Sequence, residues 1–306
     1  MTESDAIRAL IARERLPASF AEEVLPTYRR IAEAAARRRR ALGRPMVLGV
    51  SGPQGSGKST LALFLEALLE EEGLKVARLS LDDLYLTHSE RQRLGLQVHP
   101  LLATRGVPGT HDVALGLEVI GRLMTAGPEE ATALPRFDKS VDDRAPQARW
   151  PVFRGRADLV LFEGWCVGAQ AQDETALDEP INALERERDP EGRWRGYVNA
   201  ELKGPYARLF GLIDLLVAVR APSFDCVMAW RTEQERKLAL SLGLDPDRRA
   251  PGPEGLKVMS DAEIATFIQH YERLTRALIE DLPGQADVLV QLAPDRRIVA
   301  VTGRAL

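Results

Sequence analysis

Gly52-Pro53-Gln54-Gly55-Ser56-Gly57-Lys58-Ser59-Thr60 decides how the rest of this 306-residue sequence is read. The stretch fits G-x-x-x-x-G-K-[ST], the pattern of a phosphate-binding loop, or P-loop. Its glycines let successive backbone N–H groups turn inward around phosphate oxygens, which a Cβ would obstruct. A helix starting near Lys58 adds the positive end of its dipole to the same anion site. Lys58 offers a point charge to the β and γ phosphates, and the Ser59 hydroxyl offers a ligand to Mg2+.

The flanks supply the context this loop requires. Upstream, Met46-Val47-Leu48-Gly49-Val50-Ser51 is a short apolar run of the kind that forms a buried parallel strand. Downstream, Leu61, Leu63, Leu65, Leu68 and Leu69 predict a helix over 59–72, closed by Gly73. Further strands are predicted over 76–81, 157–162, 213–219, 288–292 and 298–301, with helical stretches at 112–125, 223–242 and 260–281. Strands alternating with helices give an α/β fold: a doubly wound, mainly parallel sheet with helices on both faces. Ahead of it, Ala6, Leu10, Ile11, Phe20, Val24, Leu25, Tyr28 and Ile31 recur at helical spacing, with a break at Leu16-Pro17. The expected organisation is an N-terminal helical preface over 1–42 packed on the core, then one P-loop domain over 43–306. A polar, irregular insertion is expected at about 168–206. The basic run at 37–40 reads most simply as a solvated helix end favoured by the dipole.

Composition narrows the function. There are 41 Lys+Arg against 45 Asp+Glu, a net charge of −4, which argues against a nucleic-acid coat. No apolar run approaches bilayer length, and Met1-Thr2-Glu3-Ser4-Asp5 lacks the basic start of a signal peptide, so a cytoplasmic protein is expected. The two cysteines, Cys166 and Cys226, support neither a disulfide framework nor a thiolate zinc site. Carboxylates stand where strands run out: Asp82 and Asp83 after the second, Glu163 after the third. Ligands gather at such carboxyl ends, where a carboxylate accepts a proton from an attacking alcohol or orients Mg2+. The alternative for the aspartates is capping of the next helix. Neither an N/T-K-x-D nor an L-S-G-G-Q motif is present, which weakens a GTPase switch and a transporter ATPase.

The loop, the D-x-x-Y segment from Asp82 to Tyr85 and the strand-terminal Phe162-Glu163-Gly164 together resemble the phosphoribulokinase/uridine kinase family of P-loop kinases. Four segments resemble its D-glycerate 3-kinase branch: Thr104-Arg105-Gly106-Val107-Pro108-Gly109-Thr110-His111-Asp112, Pro135-Arg136-Phe137-Asp138-Lys139-Ser140, Phe162-Glu163-Gly164-Trp165 and Trp230-Arg231-x-x-Gln234-Glu235. The likeness runs from about residue 16 to 300. It implies ATP-dependent phosphorylation of a small-molecule alcohol, D-glycerate to 3-phosphoglycerate, with ATP and Mg2+ as cofactors. The alternatives are a kinase for a nucleoside or pantothenate-like metabolite, or a nucleotide-dependent switch ATPase with a protein partner. The expected partner is a small-molecule substrate, with no nucleic acid, membrane or obligate protein partner.

Residue by residue, the resemblance makes Asp82 the catalytic base and places Glu163 near Mg2+, with Ser59 and Asp82 as further metal ligands. Lys58 and a lid arginine, Arg231 with Arg236 nearby, stabilise the transferred phosphoryl group. Gly52, Gln54, Gly55, Ser56, Gly57, Lys58, Ser59 and Thr60 hold the nucleotide, and Arg297 of Asp295-Arg296-Arg297 borders the adenine. Asp83 stands where uridine kinases commonly carry serine, so Asp82 and Asp83 both stay open as the base. A glycerate-like acceptor needs cations for its carboxylate and acceptors for its hydroxyls. Arg105, Arg136, Lys139 and Arg144 supply the first; Asp83, Tyr85, His111, Asp112 and Asp138 complete the candidate acceptor site. The competing reading pairs the basic residues with Asp142 and Asp143 as surface ion pairs. Trp165 and Trp230 read as core.

Overall fold

The computed structural model describes residues 4–17, 19–241 and 259–306. Its strands are β1 (Met46–Ser51), β2 (Val76–Ser80), β3 (Ala131–Ala133), β4 (Phe137–Asp138), β5 (Asp143–Arg144), β6 (Val152–Arg154), β7 (Leu159–Gly164), β8 (Ile213–Arg220), β9 (Val288–Leu292) and β10 (Ile298–Thr302). The main sheet has the order β10-β9-β8-β1-β7-β2. It is parallel except for β10, which runs antiparallel to β9. Every residue of β1 and β7 is buried, because a central parallel strand is covered on both faces and has no solvent side to alternate with. Two small antiparallel pairs, β3 with β6 and β4 with β5, stand apart from this sheet.

Successive side chains of a strand point to opposite faces. Leu48 and Val50 of β1 pack with Leu61 and Leu65 of the following helix and with Ile7, Phe20 and Ile31 from the N-terminal helices. Val47 turns the other way, into a cluster with Leu79, Phe162, Ile120, Tyr206 and Leu274. Both faces are therefore helix-covered, as the alternating pattern predicts. The N-terminal helices Asp5–Arg13, Phe20–Glu23 and Leu25–Leu42 close on the first cluster. The Phe20 ring lies 4.8 Å from Phe64 and 5.8 Å from Tyr28; burying one such ring contributes roughly 1.5–3 kcal/mol. Within the basic run, Arg39 pairs with Asp158 at 2.8 Å, Arg40 approaches Glu72 at 3.8 Å and Arg37 donates to the Ala305 carbonyl. Three of the four arginines of the run are thus engaged within the chain.

Several expected boundaries shift. Leu81 leaves β2 and begins a 3-10 turn, Leu81–Leu84, because Ser80 Oγ accepts the Asp82 N–H and bends the chain. β7 starts at Leu159 rather than 157 and carries Glu163 inside the strand. Asp158 just before it keeps backbone bonds to Met46 and Lys75, and its side chain accepts from the Lys75 amide and Arg39. The helix predicted over 223–242 spans Phe224–Ser241, its last residue lying outside the described residues. The next helix runs Asp261–Gln285, started by a Ser260–Glu263 capping box. The segment expected to be irregular, 168–206, instead holds helices Ala183–Arg188 and Arg193–Glu201 and a wide turn, Leu202–Tyr206. Asn182 caps the first of them, and the buried Arg195–Asp189 pair fixes the second at 3.0 Å. Its polar composition had hidden these helices. No helix among the described residues is long and apolar enough to cross a membrane.

Candidate active site

The phosphate loop sits at the carboxyl end of β1, where Val50 pairs with Glu163 of β7, and Ser80 at the end of β2 pairs with the same Glu163. Three signals separated in sequence are thus brought to one edge of the sheet. Gly55 and Gly57 adopt φ of 74° and 82°, a left-handed geometry that a Cβ resists. At Gly55 a Cβ would also come within 2.6 Å of Trp230 Cβ. Gly57 is the N-cap of helix Lys58–Glu71, whose first turn carries Lys58, Ser59 and Thr60. Ser51 Oγ, Gln54 Oε1 and Ser56 Oγ are buried without a hydrogen-bond partner among the described residues. Polar atoms in that state normally have a partner, and phosphate oxygens would accept from the two serine hydroxyls.

The Ser59 hydroxyl meets the Glu163 carboxylate at 3.5 Å, and Glu163 is 5% exposed. A buried carboxylate held by one long hydroxyl contact is suited to a cation. Two hard oxygen donors side by side fit Mg2+.

The two neighbouring aspartates diverge. Asp82 receives Lys139 Nζ at 2.7 Å on Oδ2 and the Tyr85 hydroxyl at 3.1 Å on Oδ1. Desolvation raises its carboxyl, but Lys139 and Lys58 outweigh it and hold it down at about 2. It is therefore an anion facing the phosphate-loop lysine. Asp83 points the other way, accepting the Phe137 N–H at 3.0 Å and Arg136 at 3.1 Å. Burial raises its carboxyl, with the Phe137 amide and Arg136 acting against that. The 3-10 turn sends the two side chains apart: Asp82 meets Lys139, and Asp83 anchors the loop that carries Arg136 and Phe137.

Most of the predicted acceptor-side cations turn out to be tied to carboxylates. Arg105 pairs with Asp142, and Arg144 donates to Asp112 at 3.1 Å and to the Tyr85 carbonyl at 3.0 Å. Asp112 caps helix Val113–Thr125 by accepting the Leu115 N–H. Asp138 accepts from the amide and hydroxyl of Ser140 within its own turn. Asp112 and Asp138 are thus engaged as cap and turn residues. His111 is more deeply placed: its ring stacks on Tyr85 with centroids 4.4 Å apart. Tyr206 accepts the Gly109 N–H at 3.0 Å and lies 2.6 Å from His111 Nδ1. His111 Nε2 is buried without a hydrogen-bond partner among the described residues. Burial pushes the imidazole down to about 3, so it is neutral.

On the nucleotide side, Arg231 pairs with buried Glu235 at 2.6 Å and Arg236 with Asp261 at 2.8 Å. The first pair lies within helix Phe224–Ser241, with the Arg231 guanidinium 6.0 Å from the Phe267 ring of helix Asp261–Gln285, and the second joins the two helices. Arg297 pairs with Asp295 at 2.6 Å on the exposed β9–β10 turn. It does not reach the loop by its own contacts. The turn joins the loop through Trp230, which donates to the Pro294 carbonyl at 2.7 Å and packs on Gly55. Trp230 is buried, as is Trp165, which donates to the Gly106 carbonyl at 2.9 Å. Sequence reasoning missed Tyr206, Tyr271 and Arg91. Tyr271 donates to the Arg105 carbonyl at 3.1 Å, and Arg91, 1% exposed, meets the Asp142 carboxylate at 2.9 Å. These contacts join distant segments and leave no local signal.

No family model matches the chain. It is 35% identical over 242 residues to the kinase mug58 of Schizosaccharomyces pombe, a match spanning 75% of this chain and 79% of that protein. It is 30% identical over 245 residues to the chloroplastic D-glycerate 3-kinase of Arabidopsis thaliana, covering 78% of this chain but 48% of that longer protein. Among solved structures, the D-glycerate 3-kinase from Cryptococcus neoformans superposes with a TM-score of 0.71 at 25% identity, over 90% of this chain and 98% of that one. The chain belongs to the family of P-loop kinases that includes the fission-yeast kinase and the D-glycerate 3-kinases.

Proposed function

We propose that the chain transfers the γ-phosphoryl group of ATP to the primary hydroxyl of a small hydroxy acid, D-glycerate, giving 3-phosphoglycerate and ADP. One observation carries the reading. Asp82 is an anion at the strand ends, turned toward Lys58 of the phosphate loop and flanked by Lys139. A carboxylate there accepts the hydroxyl proton, while a nearby cation is available for a carboxylate on the acceptor.

The hydroxyl oxygen forms a bond to the γ-phosphorus as the bond to the bridging oxygen breaks. The hydroxyl proton passes to Asp82 and the bridging oxygen leaves with ADP. Lys58 and the loop amides stabilise the spreading negative charge, so catalysis rests on positioning and electrostatics without a covalent intermediate. Ser59 and Glu163, together with Asp82, would hold Mg2+, which would supply positive charge against the phosphate oxygens. Arg231 lies next to Trp230, which packs on the loop. With Arg236 it would act as lid if the Glu235 and Asp261 pairs open over nucleotide. Asp83, Arg136, Arg105 and Arg144 shape the acceptor loops through their ion pairs, leaving Tyr85, His111 and Lys139 nearest the base. The organisation proposed is one kinase domain over 43–306 with the helices of 1–42 as an integral preface.

ADP release measured with D-glycerate, L-glycerate, uridine, pantothenate and no acceptor tests this. A rate with D-glycerate well above every other arm is expected. Preference for uridine or pantothenate would reassign the acceptor, and a rate indifferent to all of them would point to a switch ATPase.

A further inference from the structure

The loop over 104–112 is held by its backbone from two directions. Its first half is held from the kinase core: Tyr271 of helix Asp261–Gln285 donates to the Arg105 carbonyl at 3.1 Å, and Trp165 donates to the Gly106 carbonyl at 2.9 Å. Its second half, which carries His111, is held from the 168–206 segment. Tyr206 is fully buried, accepts the Gly109 N–H at 3.0 Å and lies 2.6 Å from His111 Nδ1. Gly109 has a φ of 97°, and a Cβ there would come within 2.5 Å of the Tyr197 ring. The loop thus lies against two tyrosines of the segment, with no room for a side chain between.

The segment that supplies Tyr206 is itself anchored. Buried Glu185 pairs with Arg273 at 2.6 Å, and buried Asn182 donates to Glu272 at 3.1 Å. Asn199 exchanges bonds with the Gln172 backbone at 2.7 and 2.9 Å. Tyr206 ends the wide turn Leu202–Tyr206, a π-helical turn with Pro205 inside it. Such turns are rare and recur at functional sites. Beyond Tyr206 the contacts lead toward the proposed base. The His111 ring stacks on Tyr85 at 4.4 Å, and the two residues form an isolated antiparallel bridge. The Tyr85 hydroxyl meets Asp82 at 3.1 Å. Three buried rings, Tyr206, His111 and Tyr85, therefore stand in series between the segment and Asp82.

We propose that Tyr206 is a positioning residue for the acceptor. Its hydroxyl fixes the His111 ring, and through it Tyr85, where the substrate alcohol is to meet Asp82. The 168–206 segment is then a scaffold for acceptor binding and takes no part in holding the nucleotide. The inference rests on the reading of Asp82 as base and of a small hydroxy acid as acceptor. Its physical basis is that one oxygen serves two groups of the same loop, so removing it strips both at once. A buried polar group left without its partner costs more than the bond contributed when made, and the loop relieves that cost by shifting. A displacement of about 1 Å in groups that orient a substrate is enough to matter kinetically. The phosphate loop is shaped by its own glycines and backed by Trp230, so the shift stays on the acceptor side.

The test is steady-state kinetics of Tyr206→Phe, His111→Phe and the double variant, with D-glycerate and ATP varied in turn. Tyr206→Phe keeps the ring and removes only the hydroxyl. Its KM for D-glycerate should rise about 5- to 10-fold while its KM for ATP stays unchanged. His111→Phe should raise the acceptor KM by a similar factor. The double variant should add less than about twofold to either, because the two side chains act as one unit. A tyrosine that merely stabilised the fold would reduce the active fraction, lowering kcat and leaving both KM values alone. Phe20→Leu, in the core on the opposite face of the sheet, supplies that pattern as a control. An unchanged acceptor KM in Tyr206→Phe, equal rises in both KM values, or effects that add in the double variant overturn the positioning role. Should Tyr206→Phe not fold, His111→Phe decides alone: a raised acceptor KM supports the role, and an unchanged one leaves Tyr206 nothing to position. Wild-type turnover of D-glycerate is read in parallel. If another alcohol stimulates ADP release instead, the acceptor assignment falls and the same comparison is made with that alcohol. ADP release unmoved by any acceptor overturns both readings.

Discussion

The phosphate loop and the proposed acceptor loops meet at Asp82, yet they are held in different ways. The loop is a backbone device. Left-handed glycines at 55 and 57 and the helix beginning at Lys58 shape it within nine consecutive residues, and Trp230 supports it from behind. The acceptor side is assembled from charged side chains of separate segments: Arg136 on Asp83, Arg144 on Asp112, Arg91 and Arg105 on Asp142. A backbone cradle suits a ligand that every P-loop protein shares. Side-chain pairs suit an acceptor that differs from one kinase to the next, because a single substitution re-aims a cation without disturbing the sheet.

That contrast can be broken at four places. Lys58→Met should act on both nucleotide and transition state, lowering kcat/KM by about 10²–10³-fold with weaker ATP binding; steady-state kinetics with varied ATP reads both. Gly55→Val should cost about 1–3 kcal/mol through its positive φ and the approach to Trp230. Urea denaturation and nucleotide titration should show both effects, and an unchanged midpoint would mean the loop tolerates the side chain. Asp142→Asn should touch the acceptor side alone, raising the acceptor KM roughly 5-fold, about 1 kcal/mol, with the ATP KM unchanged. Equal changes in both would show that the two sides are not separately built.

The last of the four concerns His111. Its pKa falls from 6.5 to about 3 on folding, so between those values the unfolded chain binds a proton that the folded chain does not. Stability present above pH 6.5 is therefore lost as pH falls toward 3, at up to about 1.4 kcal/mol per pH unit. His111→Phe should flatten the pH dependence of urea midpoints between about pH 6 and 4.5. That window lies above the one in which Asp82, held down at about 2 from 3.8, contributes. An unaltered slope would place the titrating group elsewhere.

The same contrast explains what the sequence made legible. The loop could be read because its residues are contiguous and their types follow from its geometry. The sheet could be read because strands covered on both faces are written as unbroken apolar runs, as in Met46–Ser51. The division of labour between Asp82 and Asp83 was not legible, since it depends on Ser80 capping the turn and on Phe137 and Arg136 arriving from another segment. Tyr206 and Tyr271 were missed for a similar reason. Each is an ordinary core aromatic by local pattern, and its hydroxyl finds its partner, Gly109 or Arg105, only in three dimensions. Asp142 had been weighed as a surface ion-pair partner. It does pair with Arg105 as that reading had it, and it also takes Arg91, which is 1% exposed.

The claim on which these predictions depend is that the two sides meet at Asp82. Turnover of D-glycerate by Asp82→Asn and Asp83→Asn, measured side by side at saturating ATP, tests it most directly. The geometry predicts that Asp82→Asn loses about 10²–10⁴-fold in kcat while still binding nucleotide, and that Asp83→Asn keeps most of its kcat with a raised acceptor KM. Near-wild-type turnover by Asp82→Asn beside an inactive Asp83→Asn would contradict the account.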